Sequence, residues 1–297
     1  MQNVKTSVIG SYPVKVNNLE LMNGYFNQKK SSWKKYIDMA VNDQVKAGID
    51  IISDGQTRDP FVNIFTRKLD GCRIRGRTEV IDKVRYIEPI TVNDQVYVKK
   101  IIPKNKEIVG LITGPYTLMK SCVDLFYDNK KELAFDFAKA LNHEAKNLEK
   151  YVDLISIDEP FYSVETPEYA KELIQMVFKN VSCNKRLHVC GDVSKIIPKL
   201  LEMPVQILSH EFKASPHLFD KFKEYDVSKN ICLGSVRSDK TTIETVDEIT
   251  KHINCGIDVF GEKISQISPD CGLRHQPRNI AYQKLKNLVI AGEKIYG

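Results

Sequence analysis

Short apolar runs alternate with longer amphipathic stretches along this chain. The runs are at most eight residues long and rich in Ile, Val and Leu, which is typical of strands buried in a parallel sheet. The stretches between them have the apolar spacing of surface helices. The predicted strands are 6–10, 49–53, 107–114, 153–158, 186–190, 205–210, 230–235 and 263–268, and the predicted helices are 32–47, 131–151, 166–181, 193–202, 215–225, 241–254 and 277–295.

Eight strands with interleaved helices predict an α/β fold of the (β/α)8 (TIM) barrel type. The segment 69–106 breaks the alternation, and we interpret it as short strands and a hairpin inserted after the second strand. The chain contains no low-complexity tract, no Pro/Ser-rich linker and no internal repeat. We therefore predict one catalytic domain over residues 1–297.

Composition narrows the class of protein. Hydrophobic residues make up 42% and charged residues 28% of the chain, as in ordinary globular proteins. The net charge of +6 comes from 44 basic and 38 acidic residues without a dense basic block, so we expect no nucleic-acid partner. No apolar run is long enough to span a membrane. The absence of a leader pattern and seven irregularly spaced cysteines predict a cytoplasmic protein with reduced thiols.

Chemically reactive side chains follow the predicted strands. In a (β/α)8 barrel the active site forms at the C-terminal ends of the strands, so these side chains should meet at one mouth. They are Ser11, Asp54, Gln56, Asp158, Glu159, His188, Cys190, His210, Glu211, Asp239, Asp270 and Cys271.

Four of these residues offer metal ligands. His188 and Cys190 are two residues apart on one strand, so their side chains point the same way. Glu211 and Cys271 follow two other strands and would reach the same mouth. One imidazole, one carboxylate and two thiolates suit zinc. Spacing alone leaves open the alternative that the cysteines are buried core thiols and His188 a core histidine.

Two further features suit a zwitterionic ligand. Asp158 and Glu159 are adjacent at a strand end, so only one can face the barrel axis. This disfavours a hydrolase with paired carboxylates, and a single inward carboxylate suits an ammonium group; the alternative is a solvated turn. The turn at Gly10 and Ser11 offers N–H groups and a hydroxyl to a carboxylate or phosphate.

Seven stretches together resemble a known family. They are TSVIGSYP (6–13), GIDIISDGQTR (48–58), LITGPYTL (111–118), ISIDEP (155–160), LHVCGDV (187–193), ILSHEF (207–212) and SPDCGLRHQPR (268–278). The chain resembles the catalytic domain of cobalamin-independent methionine synthase in its short archaeal form. The resemblance implies a zinc-dependent methyltransferase that moves a methyl group onto the thiol of homocysteine to form methionine. It assigns the zinc ligands to His188, Cys190, Glu211 and Cys271, the homocysteine carboxylate contacts to Ile9, Gly10 and Ser11, and the amine contact to Asp158.

The chain departs from this family at two positions. Gln56 stands where the family usually has a glutamate that contacts the amine, so this contact is uncharged here. Asp239 stands where the folate-using members carry a histidine thought to donate a proton, and it becomes the candidate catalytic acid, with His275 as an alternative.

The second departure bears on the methyl donor. An exposed aspartate is ionised at neutral pH, whereas a methyl group that leaves a folate nitrogen needs a positioned acid. Cobalt leaves as Co(I) without a proton. We therefore predict methylcobalamin or a corrinoid methyl-donor protein as the partner rather than a methylated folate.

Three other functions remain open from the sequence. The first is a zinc methyltransferase that acts on coenzyme M or another thiol, which the pocket at Ser11 and Asp158 would discriminate. The second is a non-catalytic subunit with structural zinc that docks a corrinoid protein. The third is a decarboxylase of the porphyrin-modifying type, which the four good metal ligands disfavour.

Overall fold

The computed structural model describes residues 4–15 and 32–297. The strands in this part are β1 (Lys5–Thr6), β2 (Ile51–Ile52), β3 (Leu69–Arg75), β4 (Arg77–Tyr86), β5 (Glu107–Thr113), β6 (Val123–Asp124), β7 (Leu154–Asp158), β8 (Asn184–His188), β9 (Ile207–His210), β10 (Asn230–Val236) and β11 (Ile264–Pro269). Eight of them form one sheet in the order β1-β11-β10-β9-β8-β7-β5-β2, and a parallel bridge between Ser7 and Ile51 joins its two ends. This confirms the predicted barrel, and each of the eight predicted runs contains or overlaps one of its strands.

Helices follow the barrel strands. They are α1 (Ser32–Ala47), α2 (Phe61–Thr66), α3 (Val92–Ile101), α4 (Pro115–Ser121), α5 (Lys130–Leu148), α6 (Ala170–Val177), α7 (Ile197–Leu201), α8 (Leu218–Phe222), α9 (Val246–Phe260) and α10 (Arg278–Tyr296), with short 3₁₀ turns at Pro160–Ser163, Ser194–Ile196 and Gly261–Lys263. Helix α9 begins with a capping box, in which Thr245 and Glu248 exchange hydrogen bonds, so its first N–H groups are satisfied locally.

The insertion after β2 is partly as predicted. β3 and β4 form an antiparallel hairpin, and β6 pairs in parallel with β4. Glu144 of α5 anchors the segment after β4, since its carboxylate accepts hydrogen bonds from the N–H groups of Ile90 (2.8 Å) and Thr91 (2.6 Å). The prediction of short strands up to residue 106 was wrong, because residues 92–101 form α3. This helix buries Asp94 and Gln95 beside Val92 and Val98, so its inner face is too polar to give an apolar helical pattern.

The parallel register sets the level of the strand ends. Thr113, Asp158, His188 and Ser209 are Cα partners on the successive strands β5, β7, β8 and β9. These residues therefore lie side by side on neighbouring strands near the C-terminal mouth of the barrel, where the active sites of this fold form.

All seven cysteines are free. Among the described residues, no helix combines the length and the apolar character that crossing a bilayer requires.

Candidate metal and substrate site

An imidazole and two thiols meet at the C-terminal mouth. The Nε2 atom of His188 lies 3.0 Å from Sγ of Cys190, and the Sγ atoms of Cys190 and Cys271 are 2.9 Å apart. These three ligand atoms all lie within 4.8 Å of one another. The sulfur–sulfur distance is far longer than a disulfide bond of about 2.05 Å. The arrangement can therefore place three ligands around one metal ion.

Ser209 orients the imidazole. The Nδ1 atom of His188 lies 3.0 Å from the Ser209 hydroxyl, which leaves Nε2 directed at Cys190. Burial, together with the nearby charge of Arg186, holds the pKa of His188 well below its ordinary value. The imidazole is therefore neutral, which is the form that binds metals, and a fixed partner on the other nitrogen is usual for a ligating histidine.

The thiol of Cys190 needs a nearby cation to ionise. The hydrogen bond with Cys271 and burial both raise the pKa of Cys190 well above its usual range. A cysteine binds a metal ion as the thiolate. Arg237 is the cation that acts on the adjacent Glu211, but it is already paired with the carboxylate of Asp239. The donor set therefore fits a bound zinc ion, which would supply the missing positive charge.

Glu211 lies beside the cluster rather than inside it. Its Oε2 atom accepts a 2.9 Å hydrogen bond from the N–H of Gly191, and its carboxylate also forms a hydrogen bond with Cys190. The group of ligand atoms within 4.8 Å does not include it. The structure thus brings together three of the four predicted ligands and leaves the fourth in contact with one of them.

Asp239 lies on the loop after β10, close to the cluster. The charges of Asp239 and Arg237 both act on Glu211. The exposed carboxylate of Asp239 accepts two hydrogen bonds from Arg237, of 2.8 and 2.6 Å, and this pairing lowers the pKa of Asp239. Its role as a catalytic acid stays a prediction, and these contacts favour the ionised carboxylate, which cannot donate a proton.

The predicted amino-acid pocket lies next to the thiols. Gly10 has a φ of +49°, and a Cβ atom on it would lie 3.4 Å from Cα of Gly272 and 3.9 Å from Oδ2 of Asp158. Gly272 directly follows Cys271 in the chain. Ile9, Gly10 and Ser11 line one small pocket together. The segments predicted to hold the carboxylate and the amine of a ligand therefore converge beside the cluster.

Gln56 is held in a strained conformation at this mouth. Its φ of +45° lies in the left-handed region, which residues other than glycine rarely adopt. Its side-chain carbonyl accepts a 3.0 Å hydrogen bond from the Ser11 hydroxyl, and its N–H donates to Asp54 at 3.2 Å. Such strain is found mainly where the surroundings fix a residue for function.

Asp158 and its neighbour have different tasks. Burial raises the pKa of Asp158 to about 7, against the opposing effects of Arg186 and a 3.2 Å hydrogen bond from Ser156. The carboxylate of Glu159 instead accepts hydrogen bonds from the N–H groups of Tyr116 and Thr117 at the start of α4. Both acids are buried, so this is not a solvated turn. Of the pair, Asp158 alone has a carboxylate available to a ligand.

Comparison with known proteins identifies the family. Residues 4–294 match the family described as "Cobalamin-independent synthase, Catalytic domain". The methionine synthase of Methanocaldococcus jannaschii is 37% identical over 98% of this chain and 99% of its own length, and that of Methanothermobacter marburgensis is 35% identical over 97% and 99%.

Solved structures share the fold. A B12-independent methionine synthase from a Shewanella species, in complex with selenomethionine, has a TM-score of 0.83 and 25% identity over 98% of this chain and 97% of its own. A methyltransferase from Methanosarcina mazei has a TM-score of 0.70 at 17% identity, over 99% and 95%, and supports the fold alone.

The family description gives no support to the corrinoid donor that the sequence predicted, since it is cobalamin-independent. It does agree with the resemblance in every other respect that it covers. The chain therefore belongs to the cobalamin-independent methionine synthase family and is a methyltransferase.

Proposed function

We propose that the chain transfers a methyl group to the thiol of homocysteine and so forms methionine. The observation that carries this proposal is the convergence of two different features on one mouth. The cluster of His188, Cys190 and Cys271 suits a thiol, and the segment around Gly10, beside Asp158, suits the amino-acid end of the same molecule. A relative that holds selenomethionine, an analogue of the product, supports the same acceptor.

The metal proposed for this site is zinc, held by His188, Cys190, Cys271 and Glu211. Zinc would lower the pKa of a thiol that approaches it, so that the nucleophilic thiolate is present at neutral pH. Ser209 keeps Nε2 of His188 directed at the cluster. Glu211 is held by Gly191 and Cys190 at the edge of the cluster, where a small shift of its side chain would change the number of protein ligands.

The chain's own residues would bind and orient the amino-acid end of the substrate. The N–H groups beside Gly10 would donate hydrogen bonds to the carboxylate, joined by the Ser11 hydroxyl once it turns away from Gln56, and Asp158 would accept hydrogen bonds from the ammonium group. The side-chain carbonyl of Gln56, which accepts from Ser11 in the free protein, would add an uncharged acceptor for the ammonium group. A ligand held by both its carboxylate and its ammonium group has its thiol fixed at one position in the mouth. Holding the reacting group in this way lowers the barrier by proximity and orientation.

The proposed donor is a methylated corrinoid. The residues near Asp239 support this donor, although the family description is cobalamin-independent. The pairing of Asp239 with Arg237 favours an ionised carboxylate, and no histidine occurs in residues 218–251. A nitrogen leaving group would need a proton at this point in the reaction, and a Co(I) leaving group would not. Methylated folate is the alternative donor.

One assay tests both acceptor and donor. The zinc-loaded chain is given methylcobalamin or methyltetrahydrofolate together with homocysteine, coenzyme M or 4-mercaptobutanoate, which is homocysteine without its amino group. We expect methionine to form from methylcobalamin and homocysteine, with a much lower kcat/KM for the other two thiols. Equal kcat/KM for all three would reject homocysteine as the specific acceptor. Equal turnover with the folate would reject the corrinoid proposal and leave the acceptor unaffected.

A further inference from the structure

Arg186 is a fully buried cation inside the barrel. It lies on β8, two residues before His188, so its side chain faces the same way as the imidazole, toward the barrel interior. Its relative exposure is 0%. A buried charge is costly unless it is paired and hydrogen-bonded. The partners of this guanidinium therefore indicate its role.

Neutral groups hold the guanidinium from several strands. Its Nη1 donates 2.9 Å hydrogen bonds to the Ser7 hydroxyl and to Gln266, and its Nη2 donates at 2.9 Å to the carbonyl of Val8. Its Nε donates at 3.1 Å to the Ser156 hydroxyl. None of the hydrogen bonds that the structure gives for this side chain goes to a carboxylate, within residues 4–15 and 32–297. Its charge is therefore balanced by more distant anionic groups.

Asp158 is the acidic residue that the hydrogen bonds of Arg186 reach through one intermediate side chain. The Ser156 hydroxyl accepts from Arg186 and donates to Oδ1 of Asp158 at 3.2 Å. This gives a continuous path from the guanidinium to the carboxylate. The other end of the guanidinium fixes Val8, which immediately precedes the Ile9–Ser11 segment. One side chain thus contacts the supports of both halves of the amino-acid pocket.

The geometry points to Arg186 as a positioning residue that orients and stabilises the Asp158 carboxylate, through Ser156, for recognition of the substrate's ammonium group. The inference rests on the proposed function, because it takes Asp158 to be the amine contact. A positive charge below the carboxylate and a hydroxyl donor on Oδ1 leave Oδ2 as the free acceptor, on the side of Gly10. The role concerns binding of the amine rather than the transfer of the methyl group.

Two serines allow a matched test. Ser156 and Ser7 are both fully buried, and each accepts one hydrogen bond from Arg186, but of the two only Ser156 is hydrogen-bonded to Asp158. Ser156→Ala and Ser7→Ala therefore remove the same group from the same guanidinium. The measurement is the KM and kcat for homocysteine and for 4-mercaptobutanoate, with zinc content and Tm recorded for each variant.

We expect Ser156→Ala to raise the KM for homocysteine about tenfold, since a hydrogen bond to a charged group is lost, and to leave its kcat and the KM for 4-mercaptobutanoate unchanged. Ser7→Ala should lower Tm about as much as Ser156→Ala does, with little change in the KM for homocysteine or for 4-mercaptobutanoate. Arg186→Met should raise the KM for homocysteine more than the KM for 4-mercaptobutanoate, which would also rise because the contact with Val8 is lost; if this variant does not fold, the serine pair still decides. Equal KM effects of the two serine variants, or equal effects on the two thiols, would overturn the inference.

Asp158→Asn separates this inference from the proposed function. If Asp158→Asn selectively weakens homocysteine and Ser156→Ala does not, Asp158 reads the amine but Arg186 does not position it. If Asp158→Asn affects both thiols equally, the proposed amine contact itself is wrong.

Discussion

The hydroxyl of Ser11 donates a 3.0 Å hydrogen bond to the side-chain carbonyl of Gln56, and this contact joins the segments that follow β1 and β2. The contact joins Ser11, which is predicted to bind the substrate carboxylate, to Gln56, which stands where the family usually has a glutamate that contacts the amine. Gln56 carries no charge, and its side-chain carbonyl, which accepts from Ser11, is the neutral acceptor that it can offer to an ammonium group. The pocket therefore depends on Asp158 for its negative charge.

Restoring the charge at this position should strengthen recognition of the amine. We expect Gln56→Glu to lower the KM for homocysteine several-fold, because a charge-assisted hydrogen bond is roughly twice as strong as a neutral one, and to leave the KM for 4-mercaptobutanoate unchanged. Placing a second buried carboxylate near Asp54 should also lower the stability of the free protein. Steady-state kinetics with both thiols checks this, and an unchanged KM for homocysteine would show that the amine does not reach residue 56.

Two glycines with similar backbones separate obstruction of the substrate pocket from backbone strain. Gly10 and Gly76 have φ values of +49° and +72°, but nothing lies within 4 Å of a Cβ on Gly76. Each Gly→Ala change should cost about 1 kcal/mol of stability from the left-handed backbone. Gly10→Ala should in addition raise the KM for homocysteine, since the methyl group would stand between Gly272 and Asp158. Denaturant unfolding and kinetics on both variants test this; normal kinetics in Gly10→Ala would place the substrate elsewhere.

His252 should make the protein sensitive to acid. Nε2–H of its ring donates a 2.9 Å hydrogen bond to the carbonyl of Gly234, and burial lowers its pKa from 6.5 to about 4. The neutral form is favoured in the folded state, so this stabilisation is fully present above pH 6.5 and is lost as the pH falls toward 4. The loss amounts to about 3 kcal/mol over this window.

The control for this prediction is His252→Gln, which keeps a hydrogen-bond donor but cannot become charged in this range. Its free energy of unfolding should fall less between pH 6.5 and 4 than that of the unchanged chain. Parallel pH profiles would mean that His252 is not held neutral by the fold.

The sequence predicted the barrel because its strands are marked by composition. Runs such as EIVGLITG (107–114) are buried on both faces and need only be apolar. Helices α2 and α4 were missed because they span six and seven residues, too few to show a period. Helix α3 was missed because two of its four buried residues, Asp94 and Gln95, are polar.

The site was predictable where chemistry and strand ends coincide. His188, Cys190 and Cys271 meet as their positions implied, whereas the offset of Glu211 comes from its hydrogen bond with Gly191, which no pattern reveals. Arg186 was missed, although the signal was present: a charged residue two positions before His188, on the same inward face of a strand. A charge at an interior position of a barrel strand calls for a partner, and here it is reached through Ser156.

The most direct measurement of the central claim records zinc content and methionine formation on the same samples of three proteins. They are the unchanged chain, Cys271→Ser, and Cys122→Ser as a control, since Cys122 is also partly buried but lies outside the cluster. For the unchanged chain and for Cys122→Ser we predict about one zinc per chain and homocysteine-dependent methionine formation. Cys271→Ser should lose the zinc and the methionine formation together. Full zinc content and undiminished methionine formation in Cys271→Ser would contradict the account.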